Sequence, residues 1–526
     1  MLLLCCLLTL AGVSYAQSFA EQCQSFRPSI PNVQVNVLEF VPKGTNLSLP
    51  YNDASCNQNW QSVYGTDFCR VAMDVRTSNT SNIILEAWLP TNWNGRFLST
   101  GNGGLAGCIQ YADIAYANMY NFAVVGANNG HNGTSGRPFL NSPGVVEDFA
   151  YRSIHTGVVV GKQLTEQFYS SPINHSYYLG CSTGGRQGMK SAQMFPEDFD
   201  GIVAGAPAFD FNHLTDWSGW LSLIAGTDNT SASFITRNLW TIINNEVIRQ
   251  CDSIDGAVDG ILEDPDLCQP KLETLLCSPD ATNASACLNS GQYDRAVKLF
   301  EPLYNASGTL IYPRLQPGGH PGAYPLIFGG QIFQYTVDWF RYAVYKDPSW
   351  DPTTLDQADF TYLDKLDPYN ISTWNGDLSP FASRGGKILT YHGLQDPIIT
   401  SENSGRYYSH LSSTMRLPPS GIDEFYRYFR ISGLSHCSGG PGAFDVGQRY
   451  LGRPADVSTP TNNVLQAIVS WVEDGQAPEY IEGIKWVNNN ASQGVAFKRR
   501  HCRYPRRNVY TGTGNGTDEN GWQCVF

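Results

Sequence analysis

The stretch "YYLGCSTGGRQG", Tyr177–Gly188, contains the pattern Gly-x-Ser-x-Gly, with Gly180, Ser182 and Gly184 at its three fixed positions. The residues before it favour a β-strand, and "RQGMKSAQMF" after it can form a helix. A strand that turns this sharply into a helix needs very small side chains around the serine, and the turn leaves the hydroxyl exposed in front of the helix N-terminus. We therefore predict that Ser182 is a nucleophile. An ordinary glycine-rich turn is the alternative.

A serine hydroxyl reacts only when a base takes its proton and an acid holds that base. In α/β-hydrolases the acid and then the histidine follow the serine along the chain, each in a loop after a strand. "KILTYHGLQDPI" supplies Asp396 in such a loop, and "YRYFRISGLSHCSGG" supplies His436. His392 stands close to Asp396 but precedes it, so we expect it, like the other histidines, to be a surface or core residue.

Apolar or β-branched runs ending in glycine-rich turns alternate with helix-like segments in both outer parts of the chain, which favours βαβ units and a parallel sheet. The middle is rich in aromatic residues and proline and lacks this alternation. We predict an α/β-hydrolase core with a large inserted lid domain, divided into a signal peptide (1–16), the first part of the core with the nucleophile (17–206), the lid (207–375) and the second part of the core with the acid and the histidine (376–526). A separate domain in the middle is disfavoured because the sheet-like pattern resumes after it.

The N-terminus "MLLLCCLLTLAGVSYA" has the form of a secretory signal peptide, and its removal leaves 12 of the 14 cysteines. An even number of cysteines fits disulfide formation in an oxidising compartment. Ten Asn-x-Ser/Thr sequons, each a possible acceptor of a surface glycan, also favour a secreted protein. They are Asn46, Asn79, Asn132, Asn174, Asn229, Asn283, Asn305, Asn370, Asn490 and Asn515. We expect a secreted, extracellular glycoprotein.

The net charge of −13 argues against binding to nucleic acid or to an anionic membrane surface, because both require clustered cations. The basic run "KRRHCRYPRR", Lys498–Arg507, is expected to be a solvated terminal segment. No run after the N-terminus is long and apolar enough to span a bilayer.

Cys181 directly precedes Ser182, and Cys437 directly follows His436. A disulfide between these cysteines would tether the loop of the nucleophile to the loop of the base and preorganise both. Pairing of the two cysteines with other partners is the alternative.

These motifs, "GCSTGGRQG", "YHGLQDPI" and "ISGLSHC", resemble the tannase and feruloyl esterase family of fungal secreted hydrolases, and are most similar to its feruloyl esterases of the B type. The resemblance extends over essentially the whole mature chain and implies that Ser182, Asp396 and His436 are the nucleophile, the acid and the base. It also implies the disulfides Cys23–Cys69, Cys56–Cys108, Cys251–Cys268, Cys277–Cys287 and Cys502–Cys524.

Acyl transfer requires amide donors for the developing oxyanion. We predict the N–H of Thr183 and one from the turn "GNGG", at Gly103 or Gly104. The turn alone is a weak signal, but it follows the strand-like "GRFLST".

The loop "CDSIDGAVDGILEDPDLC" carries three carboxylates, Asp252, Asp255 and Asp259. Such a loop either binds a hard cation or is a solvated acidic turn. The family resemblance implies calcium, with the carbonyl groups of Ala257 and Ile261 as additional ligands. Because the loop belongs to the lid, we expect a structural Ca²⁺ without a Lewis-acid role, and no organic cofactor.

The resemblance implies hydrolysis of phenolic esters of the plant cell wall, namely feruloyl and p-coumaroyl esters. Five lid aromatics are candidates for contact with the ring, although each could equally be core: Trp217, Trp220, Phe333, Tyr335 and Trp339. A tannase acting on galloyl esters would share the same triad. The remaining alternative is a non-catalytic, calcium-stabilised binding protein on a hydrolase scaffold.

Overall fold

The computed structural model describes residues 17–50, 52–280, 285–448 and 458–526. The predicted signal peptide and the sequon at Asn283 lie outside these ranges. Among the described residues the strands are β1 (Val33–Val41), β2 (Asn46–Ser48), β3 (Trp60–Ser62), β4 (Phe68–Arg76), β5 (Asn82–Pro90), β6 (Arg96–Thr100), β7 (Ala123–Ala127), β8 (His175–Cys181), β9 (Gly201–Gly205), β10 (Leu303–Tyr304), β11 (Leu310–Tyr312), β12 (Lys387–Gly393), β13 (Tyr426–Ile431), β14 (Tyr480–Trp486), β15 (Val495–Cys502), β16 (Arg507–Tyr510) and β17 (Trp522–Val525).

The α-helices of the same residues are α1 (Phe19–Ser25), α2 (Tyr111–Asn118), α3 (Pro143–Glu147), α4 (Ser153–Tyr169), α5 (Thr183–Met194), α6 (Phe211–Ala225), α7 (Arg237–Cys251), α8 (Ser290–Leu299), α9 (His320–Ala323), α10 (Gln334–Asp338), α11 (Gln357–Leu366), α12 (Ser379–Ser383), α13 (Glu402–Met415), α14 (Pro419–Ile422) and α15 (Val464–Asp474). No helix in the described part of the chain is long and apolar enough to cross a membrane.

Nine of the described strands form one sheet in the order β1-β4-β5-β7-β6-β8-β9-β12-β13. The strands from β7 to β13 in this order are parallel to one another, whereas β1–β4, β4–β5 and β5–β7 are antiparallel pairs. The central strands are buried along almost their whole length, which is why they appear in the sequence as continuous apolar runs. The carboxyl ends of β8, β12 and β13 therefore lie at one edge of the sheet, where ligands bind in open α/β folds.

Helices cover both faces of this sheet. The apolar sides of α4, α5 and α13 pack on one face, and those of α2 and α15 pack on the other. The described residues between β9 and β12 add no strand to the sheet and form a separate apolar core around the fully buried Trp217, Trp240 and Trp339. We call residues 207–375 the lid; their bounds remain a sequence prediction.

The basic run at the C-terminus differs from its expected solvated state. Arg499 and His501 lie on β15 and are completely buried. The Arg499 guanidinium forms ion pairs with Asp259 and Glu263, and it packs over the ring of Trp522, 4.2 Å from the ring centroid. The buried charge of Arg499 is tolerated because its two acidic partners come from a distant part of the chain, which local sequence cannot reveal.

Candidate active site

Ser182 occupies the sharp turn between β8 and α5. Its backbone has φ 67° and ψ −126°, a strained conformation for a residue with a side chain and one that is typical of a nucleophile at a strand-to-helix turn. The turn has no space for larger neighbours: a Cβ at Gly185 would lie 2.4 Å from the carbonyl oxygen of Gly205, and one at Gly180 would lie 2.8 Å from the backbone of Gly184. This packing explains the small residues of the motif.

Asp396 and His436 meet at the same edge of the sheet. The Nδ1 atom of His436 lies 2.7 Å from Oδ2 of Asp396, while Oδ1 of Asp396 accepts hydrogen bonds from the backbone N–H groups of Ile398 and Ile399. Burial raises the pKa of the Asp396 carboxyl, but the charge of His436 and the hydrogen bonds from His392 and His436 more than offset this. The pKa of Asp396 therefore lies well below its ordinary value, and the group stays ionised.

The His436 side chain is 20% exposed, so it can meet both Asp396 and a substrate. Among the described residues no hydrogen bond joins its ring to the Ser182 hydroxyl. Such bonds are often long in ligand-free sites and tighten when substrate binds.

A disulfide between Cys181 and Cys437 links the two loops, with the Cα atoms 6.0 Å apart and a separation of 256 positions in the chain. Because each cysteine is adjacent in the chain to Ser182 or His436, this bond links the two site residues through their direct neighbours. The other disulfides of the structure are those that the resemblance implies: Cys23–Cys69, Cys56–Cys108, Cys251–Cys268, Cys277–Cys287 and Cys502–Cys524.

The turn with Gly103 and Gly104 lies beside the start of α5. The Thr183 hydroxyl donates a hydrogen bond of 2.8 Å to the carbonyl oxygen of Gly104. Thr183 is the first residue of α5, so its N–H has no acceptor within the helix and is available to an anion. The geometry does not choose between Gly103 and Gly104 as the second donor, and both remain predictions.

Ser182 and Thr183 line a narrow cavity that the lid closes. Its apolar wall includes Phe211, Leu214 and Phe333, and Tyr335 adds a phenol group. Two of the five candidate lid aromatics, Phe333 and Tyr335, thus line this cavity.

The other three candidates lie elsewhere. Trp217 and Trp339 are buried in the lid core, and Trp217 and Trp220 line a second cavity. A larger cavity of about 510 Å³, next to Arg406 and Tyr504, contains none of the predicted site residues. Size alone therefore does not locate the site.

His392 makes a contact that the sequence did not predict. It is completely buried, in agreement with a core histidine, and its Nε2 atom lies 3.2 Å from Oδ2 of Asp396. The available signal was the four-residue spacing of His392 and Asp396 at the end of a strand.

The predicted calcium loop has the oxygen donors that Ca²⁺ prefers. Asp252 and Asp255 are buried and accept hydrogen bonds from backbone N–H groups of the loop. Among the described residues, neither carboxylate has a cationic side chain as a partner. Burial raises the pKa of Asp255 to about 7. Asp259 instead pairs with Arg499, and in the described residues no three acidic, histidine or cysteine side chains are placed to hold one metal ion.

An ion at this loop would therefore be held by Asp252 and Asp255 with carbonyl groups such as those of Ala257 and Ile261. Its contribution would be to neutralise buried carboxylates in the lid. The oxygen donors of the loop fit calcium. The Asp259 side chain, however, pairs with Arg499 and does not join Asp252 and Asp255 at one point, as the sequence prediction assumed.

The parallel sheet, the strained serine at the end of β8 and the Asp396–His436 pair define an α/β-hydrolase, as predicted. A sequence model of the family described as "Tannase and feruloyl esterase" matches residues 69–525. The chain is 54% identical over 520 residues to a probable feruloyl esterase B-2 of Aspergillus terreus, covering 98% of this chain and 97% of the relative. The chain belongs to the tannase and feruloyl esterase family and is a carboxylic ester hydrolase.

Solved structures agree with this assignment. Feruloyl esterase B from Aspergillus oryzae is 49% identical and superposes with a TM-score of 0.92, covering 97% of this chain and all of that one. Tannin acyl hydrolase from Aspergillus niger, 23% identical with a TM-score of 0.73, shares the fold over 97% of this chain and 96% of its own. These similarities disfavour the non-catalytic binding protein.

Proposed function

We propose that the protein is a secreted serine esterase that hydrolyses hydroxycinnamoyl esters, such as the feruloyl and p-coumaroyl esters of plant cell-wall sugars. The observation that carries this proposal is the covalent link between Cys181 and Cys437, which holds the Asp396–His436 pair next to the strained Ser182. The names of the relatives at 54% and 49% identity support the substrate class.

Ser182 is the proposed nucleophile and His436 its base. Because Nδ1 of His436 faces the ionised Asp396, it carries the proton, and the lone pair of Nε2 is left to accept the proton of Ser182. The Ser182 oxygen then attacks the ester carbonyl carbon. Asp396 stabilises the imidazolium that forms and keeps the ring in its orientation.

The tetrahedral intermediate places its negative oxygen at the N–H of Thr183 and of Gly103 or Gly104. Collapse of the intermediate breaks the bond to the sugar oxygen, which takes the proton from His436 and leaves as an alcohol. Water then attacks the acyl-enzyme with His436 again as the base. The products are the free hydroxycinnamic acid and the regenerated serine.

The cavity favours a cinnamoyl group over a galloyl group. Three of its hydroxyl groups, on Thr215, Ser218 and Thr336, already donate to backbone carbonyls, and none of the lining side chains is charged. The three hydroxyls of a galloyl ring would each need a polar partner, and unpaired polar groups are costly to bury. A methoxylated ring needs fewer partners, with the phenol of Tyr335 available to it.

Secretion and glycosylation are part of the same proposal. Six disulfides indicate an oxidising compartment. Of the predicted glycan acceptors that the structure describes, all lie on the surface except Asn305, which is half-buried. We likewise propose a structural Ca²⁺ at the acidic loop of the lid, outside the reaction.

The test is kcat/KM on methyl ferulate, methyl p-coumarate and methyl gallate, for the wild type and for Ser182→Ala. Rapid cleavage of the two cinnamates, slow cleavage of the gallate and an inactive variant are expected. Faster cleavage of gallate would make the protein a tannase and overturn the substrate class. An active Ser182→Ala variant would overturn the mechanism.

A further inference from the structure

His392 lies at the end of β12 with its side chain enclosed by the protein. Its Nε2 atom is 3.2 Å from Oδ2 of Asp396 and 3.0 Å from the carbonyl oxygen of Ile399, and its Nδ1 atom is 2.8 Å from the hydroxyl of Ser404. The Asp396 oxygen is the same atom that His436 contacts at 2.7 Å. Two histidine rings thus share one carboxylate oxygen.

These contacts fix the tautomer of His392. The two oxygens near Nε2, from the ionised Asp396 and from the Ile399 carbonyl, can only accept hydrogen bonds, so Nε2 must carry the proton. The Ser404 hydroxyl can donate, and Nδ1 is the acceptor. A neutral imidazole in this orientation satisfies both of its nitrogen atoms.

We propose that His392 is a positioning residue for the reaction, which holds Oδ2 of Asp396 towards His436 and shares the negative charge of that oxygen. With the N–H groups of Ile398 and Ile399 on the other oxygen, the carboxylate receives four donors and cannot rotate. Ser404 acts one step further out, because its hydroxyl keeps His392 in the donating tautomer. This inference rests on the triad assigned under Proposed function.

Loss of the hydrogen bond from His392 has a defined electrostatic effect. Without this donor, more of the negative charge of the Asp396 carboxylate would be available to the protonated ring of His436, so His436 would hold its proton more strongly. Because His436 must be neutral to act as a base, the acidic limb of the kcat/KM profile would move to higher pH.

Other charged and titratable groups surround this cluster, and the variants below leave all of them in place. They are Tyr312 of β11, Asp210 before α6, Glu402 and Arg406 of α13, and Arg430 of β13, which stands opposite His392 in register and pairs with Asp264 and Asp266.

The experiment compares His392→Phe, which removes the donor but keeps a ring, with His392→Gln, whose amide can supply an N–H at the place of Nε2. The assay is the pH profile of kcat and KM for p-nitrophenyl acetate, which requires the triad but little recognition by the lid. For His392→Phe we expect kcat about tenfold lower, an unchanged KM and an acidic limb about half to one pH unit higher. In His392→Gln the acidic limb should return most of the way to its wild-type pH.

Ser404→Ala tests the same idea without touching the ring, and we expect a smaller shift in the same direction. The matched control is His501→Phe, at a buried histidine whose Nε2 atom lies 3.0 Å from the Ala443 carbonyl and has no contact with the triad. It should lower stability without moving the limb.

Unchanged limbs in both His392→Phe and Ser404→Ala would overturn the inference and leave a structural role for His392. If His392→Phe fails to fold, the limb of Ser404→Ala decides. A wild type that neither hydrolyses the ester nor reacts with a fluorophosphonate at Ser182 would refute the proposed function itself. An active wild type, an inactive Ser182→Ala and unmoved limbs would refute only the role of His392.

Discussion

The disulfide between Cys181 and Cys437 should contribute to catalysis as well as to chain stability. Its 256-residue separation corresponds to about 5.5 kcal/mol of unfolding free energy in the loop-entropy relation. The Cys277–Cys287 disulfide of the lid closes a loop of only 10 residues, for which the same relation gives about 2.7 kcal/mol. The two bonds thus offer two perturbations to compare, one at the site and one remote from it.

We expect the double variant Cys181→Ala/Cys437→Ala to lose about 5.5 kcal/mol of unfolding free energy and roughly 100-fold in kcat, because the loops that carry Ser182 and His436 lose their link. The control Cys277→Ala/Cys287→Ala should lose stability but keep kcat. Urea unfolding, circular dichroism and kcat at a temperature where both variants stay folded give the measurement. Equal kcat in both double variants would refute the preorganising role of the bond.

Three further predictions concern the turn, the lid and the calcium loop. Gly185→Ala should lower the free energy of unfolding by about 1 to 3 kcal/mol and remove most of the activity, because its Cβ would meet a backbone carbonyl of β9. The control Gly421→Ala, whose Cβ would make only ordinary contacts, should change neither urea unfolding nor the ester assay appreciably. Burial lowers the pKa of His213, but Asp210 and Asp364 raise it to about 10, so its stabilising effect is complete below the unfolded pKa near 6.5 and fades as pH rises through about 10. The stability difference between wild type and His213→Gln should therefore shrink from pH 7 to pH 10, and a constant difference would contradict the ion pairs. Chelation should lower Tm, because an ion at a free concentration of 100 times its Kd contributes about 2.7 kcal/mol to the free energy of unfolding. Identical melting curves before and after verified metal removal would exclude a structural ion.

The features that sequence alone predicted are those that depend on local chain geometry. The strand-to-helix turn at Ser182 could be predicted because such a turn requires glycine neighbours within a few positions. The meeting of Asp396 and His436 could be predicted because chain order and strand ends restrict where an acid and a base can occur. The parallel part of the sheet followed from its continuous apolar strands, which are buried on both faces.

The residues that sequence missed depend on contacts between distant segments. The contact of Arg499 with Asp259 spans 240 positions, so the basic run resembled a solvated tail although Arg499 itself is buried. Trp217 and Trp339 belong to the lid core rather than to the substrate cavity because helix packing, not composition, decides which aromatic side chains face the ligand. His392 is a core histidine, as expected, but its contact with Asp396 was not predicted because sequence spacing gives no direction for its ring.

The position of the lid in the chain separates the reaction from the choice of substrate. The lid enters after β9, downstream of the proposed nucleophile, and the chain returns to the sheet at β12, upstream of the proposed acid and base. The disulfide joins these two parts of the core, and the contact of His392 with Asp396 lies within the second part; neither uses a lid residue. Phe211, Leu214 and Phe333 come from the lid and line the cavity beside Ser182. We therefore expect changes in the lid to alter which acyl group fits without changing the geometry of the proposed triad.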